Sequence, residues 1–292
     1  MARETSSRFA VGARIGDYRV DGQVAIEEAA VVYLATHVVL PRQAHIKVTH
    51  PGSQSAALQV LREACLLEAL CHVGIPRVHE CGVLADRRPW SAIELMTGET
   101  FTQLGDAGPV ALGELVAMLR DVADILHHAH ERGVVHRRLT ATTIVRTARQ
   151  RSGHAVADWS DARTLDTGAE VVVDPRDDVH ALGRIAFRGL TGNDFCHPRP
   201  GDPTSAAAHS PSAPAELTAL IDQMLAEPVA RPLAGEVFDR AAWLCSTLEA
   251  APLPLRRRWT PPQGFVAEGV SPADGELDPR GFAVKISRAR TV

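Results

Sequence analysis

No apolar run in the sequence approaches the roughly 20 residues that a membrane-spanning helix needs. The opening Met1-Ala-Arg-Glu-Thr-Ser-Ser7 is too polar for a secretory leader, so a soluble, cytoplasmic protein is expected. Neither charge sign is in excess: 31 Lys and Arg face 35 Asp and Glu, a net charge of −4 with a pI near 6.3. That balance offers no attraction to nucleic acid or to an anionic membrane, and neither is expected as a partner. The five cysteines, Cys65, Cys71, Cys81, Cys196 and Cys245, contain no CxxC spacing; small buried free thiols are the expectation. No internal repeat is present.

What is present suffices for a full core. At 292 residues, 45% hydrophobic and 23% charged, the chain suits one bilobal domain or two small ones. Short β-branched and aromatic runs at 18–20, 30–35 and 44–48 alternate with turn residues and predict an antiparallel meander. Leu58, Leu61, Leu66 and Leu70 recur at helical spacing. The strongest helical segment runs from Leu112 to Glu131, where Leu115, Val116, Leu119, Val122, Ile125 and Leu126 form one stripe that stops at Gly133. A Pro/Ser/Ala-rich loop is expected over 197–214, helices over 215–225 and through Trp243-Leu244, and a Pro/Arg-rich tail from 251. The basic-aromatic cluster Arg256-Arg-Arg258-Trp259 in that tail reads first as solvated linker.

The stretch Gly133-Val-Val-His136-Arg137-Arg138-Leu139-Thr140-Ala-Thr-Thr143 resembles the catalytic loop H-R-D-L-x-x-x-N of the bacterial eukaryotic-like Ser/Thr protein kinases. In that family the Asp accepts the substrate hydroxyl proton and the Asn holds the second Mg²⁺. His136 and Arg137 match, Arg138 stands at the Asp and Thr143 at the Asn. Further landmarks follow in family order. Lys47 corresponds to the lysine that pairs with the α/β-phosphates, and Glu63, within Arg62-Glu63-Ala64, to its helix partner. Glu94 to Met96 correspond to the hinge behind Ile93, and Asp158-Trp159-Ser160 to the metal-binding D-F-G. Asp178 corresponds to the Asp that holds the catalytic-loop backbone, and Arg231 to the Arg of D-P-x-x-R-P.

The resemblance covers residues 16–245 and implies an α+β, two-lobed protein kinase-like fold. Its parts are an N-terminal extension (1–15), a small β-sheet N-lobe with one helix (16–97), a larger helical C-lobe with a shortened activation segment (98–250) and the tail (251–292). Asp178 is also expected to cap its helix.

The departures from the family pattern concern the chemistry. With Val32-Tyr33 as anchor, the three glycines of the phosphate loop fall on Ala25, Glu27 and Ala30. Cβ atoms restrict the close backbone approach that phosphates need, and Glu27 with Glu28 places negative charge where a triphosphate lies. His45 occupies the small-residue position against adenine and narrows it. About 20 residues separate Asp158 from Asp178, so the A-P-E motif and most of the peptide platform have no room, and Arg231 loses its usual partner. Arg138 is expected to neutralise Asp158 instead.

Three functions stay open at this point. The first is a pseudokinase of the Ser/Thr kinase family with a degenerate ATP site. It would act in signalling as scaffold or allosteric partner of a protein, such as an active kinase, with no cofactor. The second is a nucleotide-using enzyme of kinase fold, a weak Ser/Thr kinase or nucleotidyl transferase built on ATP, Mg²⁺, Lys47, Glu63 and Asp158. The third is a small-ligand module in the vestigial cleft.

Overall fold

Alternation of buried and exposed side chains builds the N-terminal part of the computed structural model, which describes residues 8–148, 152–165, 173–195 and 205–250. Strands β1 (Arg14–Ile15), β2 (Tyr18–Ile26), β3 (Ala30–His37) and β4 (Gln43–Thr49) form the expected meander. Helix α1 (Gln54–Leu70) follows, then β5 (Val78–Val83) and β6 (Pro89–Glu94), which complete a six-stranded antiparallel sheet in the order β1-β2-β3-β4-β6-β5. Period two gives β4 two destinations. Ala44, Ile46 and Val48 join a core with Tyr18, Tyr33 and Trp90 on one face, while His45 and Lys47 line a cavity on the other.

Helix α1 begins at Ser53, whose side chain accepts from the Ala56 N–H, and ends at Cys71 in a left-handed turn. Its buried face is Ala56, Val60, Glu63, Leu67 and Leu70. Leu58 and Leu61, expected on the apolar stripe, are instead 63% and 37% exposed. The spacing 56, 60, 63, 67, 70 wins because it brings Glu63 inward, where Lys47 satisfies it. The cysteines also differ from expectation: Cys65, Cys71 and Cys81 are exposed and Cys245 half-buried, because none of the first three lies on the face that packs.

The helical part is arranged around α3. After β7 (Glu99–Thr100) and α2 (Phe101–Gly105), α3 spans Leu112–Glu131 as its periodicity predicts. Gly98, at φ +146°, lets the chain pass so close to Arg146 that a Cβ would meet its carbonyl oxygen. Four short strands follow: β9 (Ile144–Arg146) and β10 (His154–Val156) form a hairpin, and β8 (Val134–Val135) pairs with β11 (Arg163–Thr164). The remaining elements are α4 (Pro175–Thr191), α5 (Ala206–His209), α6 (Ala215–Met224), a 3₁₀ turn (Pro228–Ala230) and α7 (Ala234–Ala250). Helix α5 interrupts what the sequence predicts as loop; Ser205 caps it. Buried Leu115, Leu119, Ile125 and Leu126 of α3 join α4, α6 and α7 in one cluster that also takes in Leu66, Leu67 and Leu70 of α1. Among the described residues no helix is long and apolar enough to cross a membrane. The tail from 251, with its Arg-rich cluster, and residues 166–172 of the shortened segment lie outside the described residues.

Candidate functional site

Between the sheet and the hairpin strands lies a cavity of about 320 Å³. Its wall contains Lys47, Glu63, Glu94, Met96 and Asp158, five positions named from the sequence, together with His45 and Ile93. Residues 111 positions apart in the chain are thus brought to one cleft by β4, α1, the β6 exit and the turn after β10.

Lys47 is the centre of its charge. Both oxygens of Glu63 accept from Lys47 Nζ, at 3.0 and 2.9 Å, with the two side chains 4% and 7% exposed. Glu27 Oε2 lies 3.3 Å from the same nitrogen and Asp158 Oδ1 3.8 Å. Burial alone would lower the Lys47 pKa, but the three carboxylates, led by Glu63, more than offset it and hold the ammonium above its ordinary value. Burial raises Glu63 in turn, despite Lys47. Burial would also raise Asp158, yet the Ser160 hydroxyl and Lys47 pull it below the usual carboxylate value. The Glu27 pairing is missing from the sequence reading, which placed Glu27 in the phosphate region without giving it a partner.

The loop at 136–143 is held from within. Asp178, 1% exposed, accepts from the His136 N–H at 2.8 Å and the Arg137 N–H at 2.7 Å, and His130 Nε2 lies 2.9 Å from it. The backbone-holding role read from the resemblance is thereby observed, but the helix cap is Asp174, whose side chain accepts from the Arg176 N–H. Asp178 sits one turn inside α4, where its carboxylate reaches the loop and not its own helix end. His136 is fully buried and stacks edge-on against Trp159 at 4.7 Å. Trp159 Nε1 donates to the Val156 carbonyl at 2.9 Å. Arg137 and Asp158 both have left-handed backbones, φ 68° and 57°, an uncommon state for non-glycine residues.

The loop's outward side chains behave otherwise. Arg138 NH1 pairs with Asp161 Oδ2 at 3.1 Å, with the two side chains 64% and 36% exposed. The expected Arg138–Asp158 contact does not form: Asp158 Oδ1 is engaged by the Ser160 hydroxyl and lies 3.8 Å from Lys47 Nζ, and Arg138 pairs with Asp161 instead. Thr143 Oγ1 donates to the Thr140 carbonyl at 2.9 Å and accepts from the Thr140 N–H at 3.1 Å, so its hydroxyl closes the loop on itself. Arg231 finds a substitute partner: NH1 lies 3.2 Å from Asp177 Oδ1, and Nε donates to the Ala226 carbonyl at 2.8 Å. Sequence reasoning also missed buried His154, whose ring nitrogens lie 3.0 Å from Asp121 and 3.2 Å from Glu114; a His at the start of a short strand carried no signal of those partners. Among the described residues no three His, Cys, Asp or Glu side chains form a metal-holding group.

No protein-family model matches the chain. It is 27% identical to the serine/threonine-protein kinase Pkn1 of Myxococcus xanthus over 309 aligned positions, covering 94% of this chain and 42% of the relative. It is 29% identical to PknI of Mycobacterium tuberculosis over 236 positions, covering 75% of this chain and 40% of that protein. The crystal structure of the M. tuberculosis PknI kinase domain superposes with a TM-score of 0.62 at 25% identity, over 81% of this chain and 99% of that domain. The chain is homologous to bacterial Ser/Thr protein kinases. It has their α+β fold, with an antiparallel-sheet N-lobe and a helical C-lobe. This kinase homologue spans about two fifths of the length of the curated relatives, 42% of Pkn1 and 40% of PknI.

Proposed function

We propose that this kinase homologue is a pseudokinase, a cytoplasmic signalling protein that acts as scaffold or allosteric partner of another protein, such as an active kinase, without a cofactor. Arg138 at the position of the catalytic base carries this reading. A guanidinium has no accepting lone pair and stays protonated, and this one is turned outward to Asp161. General-base catalysis contributes about 10²–10⁴-fold to such reactions. Thr143, with its hydroxyl committed to Thr140, supports the same conclusion, since a hard cation finds no carboxamide there.

Transfer of labelled phosphate from ATP to the protein itself and to generic substrates, with Mg²⁺ or Mn²⁺, is expected to stay at background. Transfer above background that disappears in Lys47→Ala would sink the proposal. That outcome would favour the second reading, a weak kinase or nucleotidyl transferase, whose specific support is the Lys47–Glu63 pair with Asp158 3.8 Å away. The partner role is checked by size-exclusion chromatography of the chain co-expressed with an active Ser/Thr kinase domain, where co-elution is expected.

A further inference from the structure

Helix α1 carries two seams. Ala56, Val60, Glu63, Leu67 and Leu70 form the buried one, at alternating steps of four and three residues. Gln54, Leu58, Leu61, Cys65 and Glu68 repeat the same steps on the opposite side, and all five are exposed, Leu58 by 63% and Leu61 by 37%. Steps of four and three are the spacing at which one helix faces another along its length. The solvent side of α1 therefore has the form of a helix–helix contact, with two leucines at its middle and polar residues at its ends.

The charges at the two ends say which helix fits. The first turn of α1 holds no acidic residue, although its free N–H groups and the helix dipole favour a carboxylate there. Glu68, exposed in the last turn, has no ion pair among the described residues. A second copy of α1 laid antiparallel supplies what each end lacks. Leu58 then meets the partner's Leu61 and Leu61 the partner's Leu58, Gln54 and the partner's Cys65 flank them, and each Glu68 reaches the open first turn of the other helix. A parallel pair would set Glu68 against the partner's Glu68 and leave both first turns without an acid. We infer that the solvent face of α1 is the contact of a two-fold symmetric dimer of this chain. One helix face covers less than the ~800 Å² per partner of a stable complex, so the dimer is a weak one, half-formed at about 10–100 µM.

Analytical ultracentrifugation of the whole chain, in reductant and over about 5–500 µM, tests it: the weight-average mass is expected to rise from one chain toward two. Leu58→Glu and Leu61→Glu change exposed positions, and an unchanged circular dichroism spectrum shows that each variant folds. Both are expected to weaken association at least about tenfold, because each would bury a carboxylate among the leucines. Glu68→Lys turns a cation to the partner's first turn and is expected to weaken it about threefold. The direction of pairing is read with Gln54→Cys and a short bis-maleimide, followed by mass spectrometry. Positions 54 and 65 of one chain lie about 16 Å apart along the helix, too far for that reagent, so a link between them comes from two chains and is the expected product. A chain that stays monomeric throughout overturns the inference and leaves the seam to a helix of another protein. A dimer that both glutamate variants leave intact overturns it too, and a link from position 54 to position 54 overturns the antiparallel arrangement.

Discussion

The inner and outer sides of the loop at 136–143 are held with very different force. On the inner side Asp178, 1% exposed, satisfies two backbone N–H groups and faces His130. On the outer side Arg138, 64% exposed, has one ion pair. Buried donors that lose their acceptor find no water to replace it, whereas an exposed guanidinium does. The backbone of the loop is therefore fixed by desolvation, and the outward Arg138 side chain is not. A chain can keep the loop and change what the loop presents.

The largest expected effect tests the inner side. Asp178→Ala leaves two loop amides and His130 without their acceptor and is expected to cost about 3–5 kcal/mol in urea unfolding. A loss under about 1 kcal/mol would mean that the anchor is elsewhere and would collapse the contrast. Next comes Glu63→Ala, expected to cost about 1–3 kcal/mol. This is less than a lone buried pair because Glu27 and Asp158 remain around Lys47. If that back-up is real, Glu63→Ala with Glu27→Ala costs more than the two single changes added together, and a strictly additive cycle refutes it.

A smaller effect comes from pH. Burial holds buried His136 below its ordinary pKa of 6.5, and burial lowers His45, His72 and His79 in the same direction. The unfolded chain takes up these protons near pH 6.5 while the folded chain does not. The stability they contribute is thus fully present above about pH 6.5 and is lost as pH falls through the lower folded values. Glu63 has the opposite sign: burial raises its pKa, so its contribution is fully present below the ordinary carboxyl value of 4.5 and is lost as pH rises through the higher folded value. The Tm is therefore expected to fall between pH 7.5 and 5.5, with net proton uptake on unfolding. A flat Tm across that range would contradict it. The smallest effect belongs to the outer side: Arg138→Ala is expected to change stability by no more than about 0.5 kcal/mol, and a change above about 2 kcal/mol would place Arg138 among the structural residues and blur the comparison.

Much of the architecture was legible. Helix α3 spans Leu112–Glu131 as its stripe predicts, because an apolar period kept over twenty residues has one low-energy way to be buried. Lys47, Glu63, Glu94, Met96 and Asp158 meet at one cleft as their order implied. In helix α1 the expected stripe is borne out at Leu66 and Leu70, which are buried, and not at Leu58 and Leu61, which are exposed because Val60 and Glu63 take the inward face. Only the position of Lys47 distinguishes the two faces. Asp174, Asp177 and Asp178 are all acidic residues at one helix start, and which of them caps, pairs with Arg231 or holds the loop depends on where α4 lies relative to its neighbours.

Residue types in order were enough to determine the fold and the pairing of Lys47 with Glu63, because hydrophobic period and motif succession are properties of the chain alone. Tertiary structure decided the ion pairs: Glu27 with Lys47, Arg138 with Asp161 and not Asp158, Arg231 with Asp177. A charge chooses its partner by distance and shared burial, and between residues 20 to 54 positions apart only the packed fold sets either one.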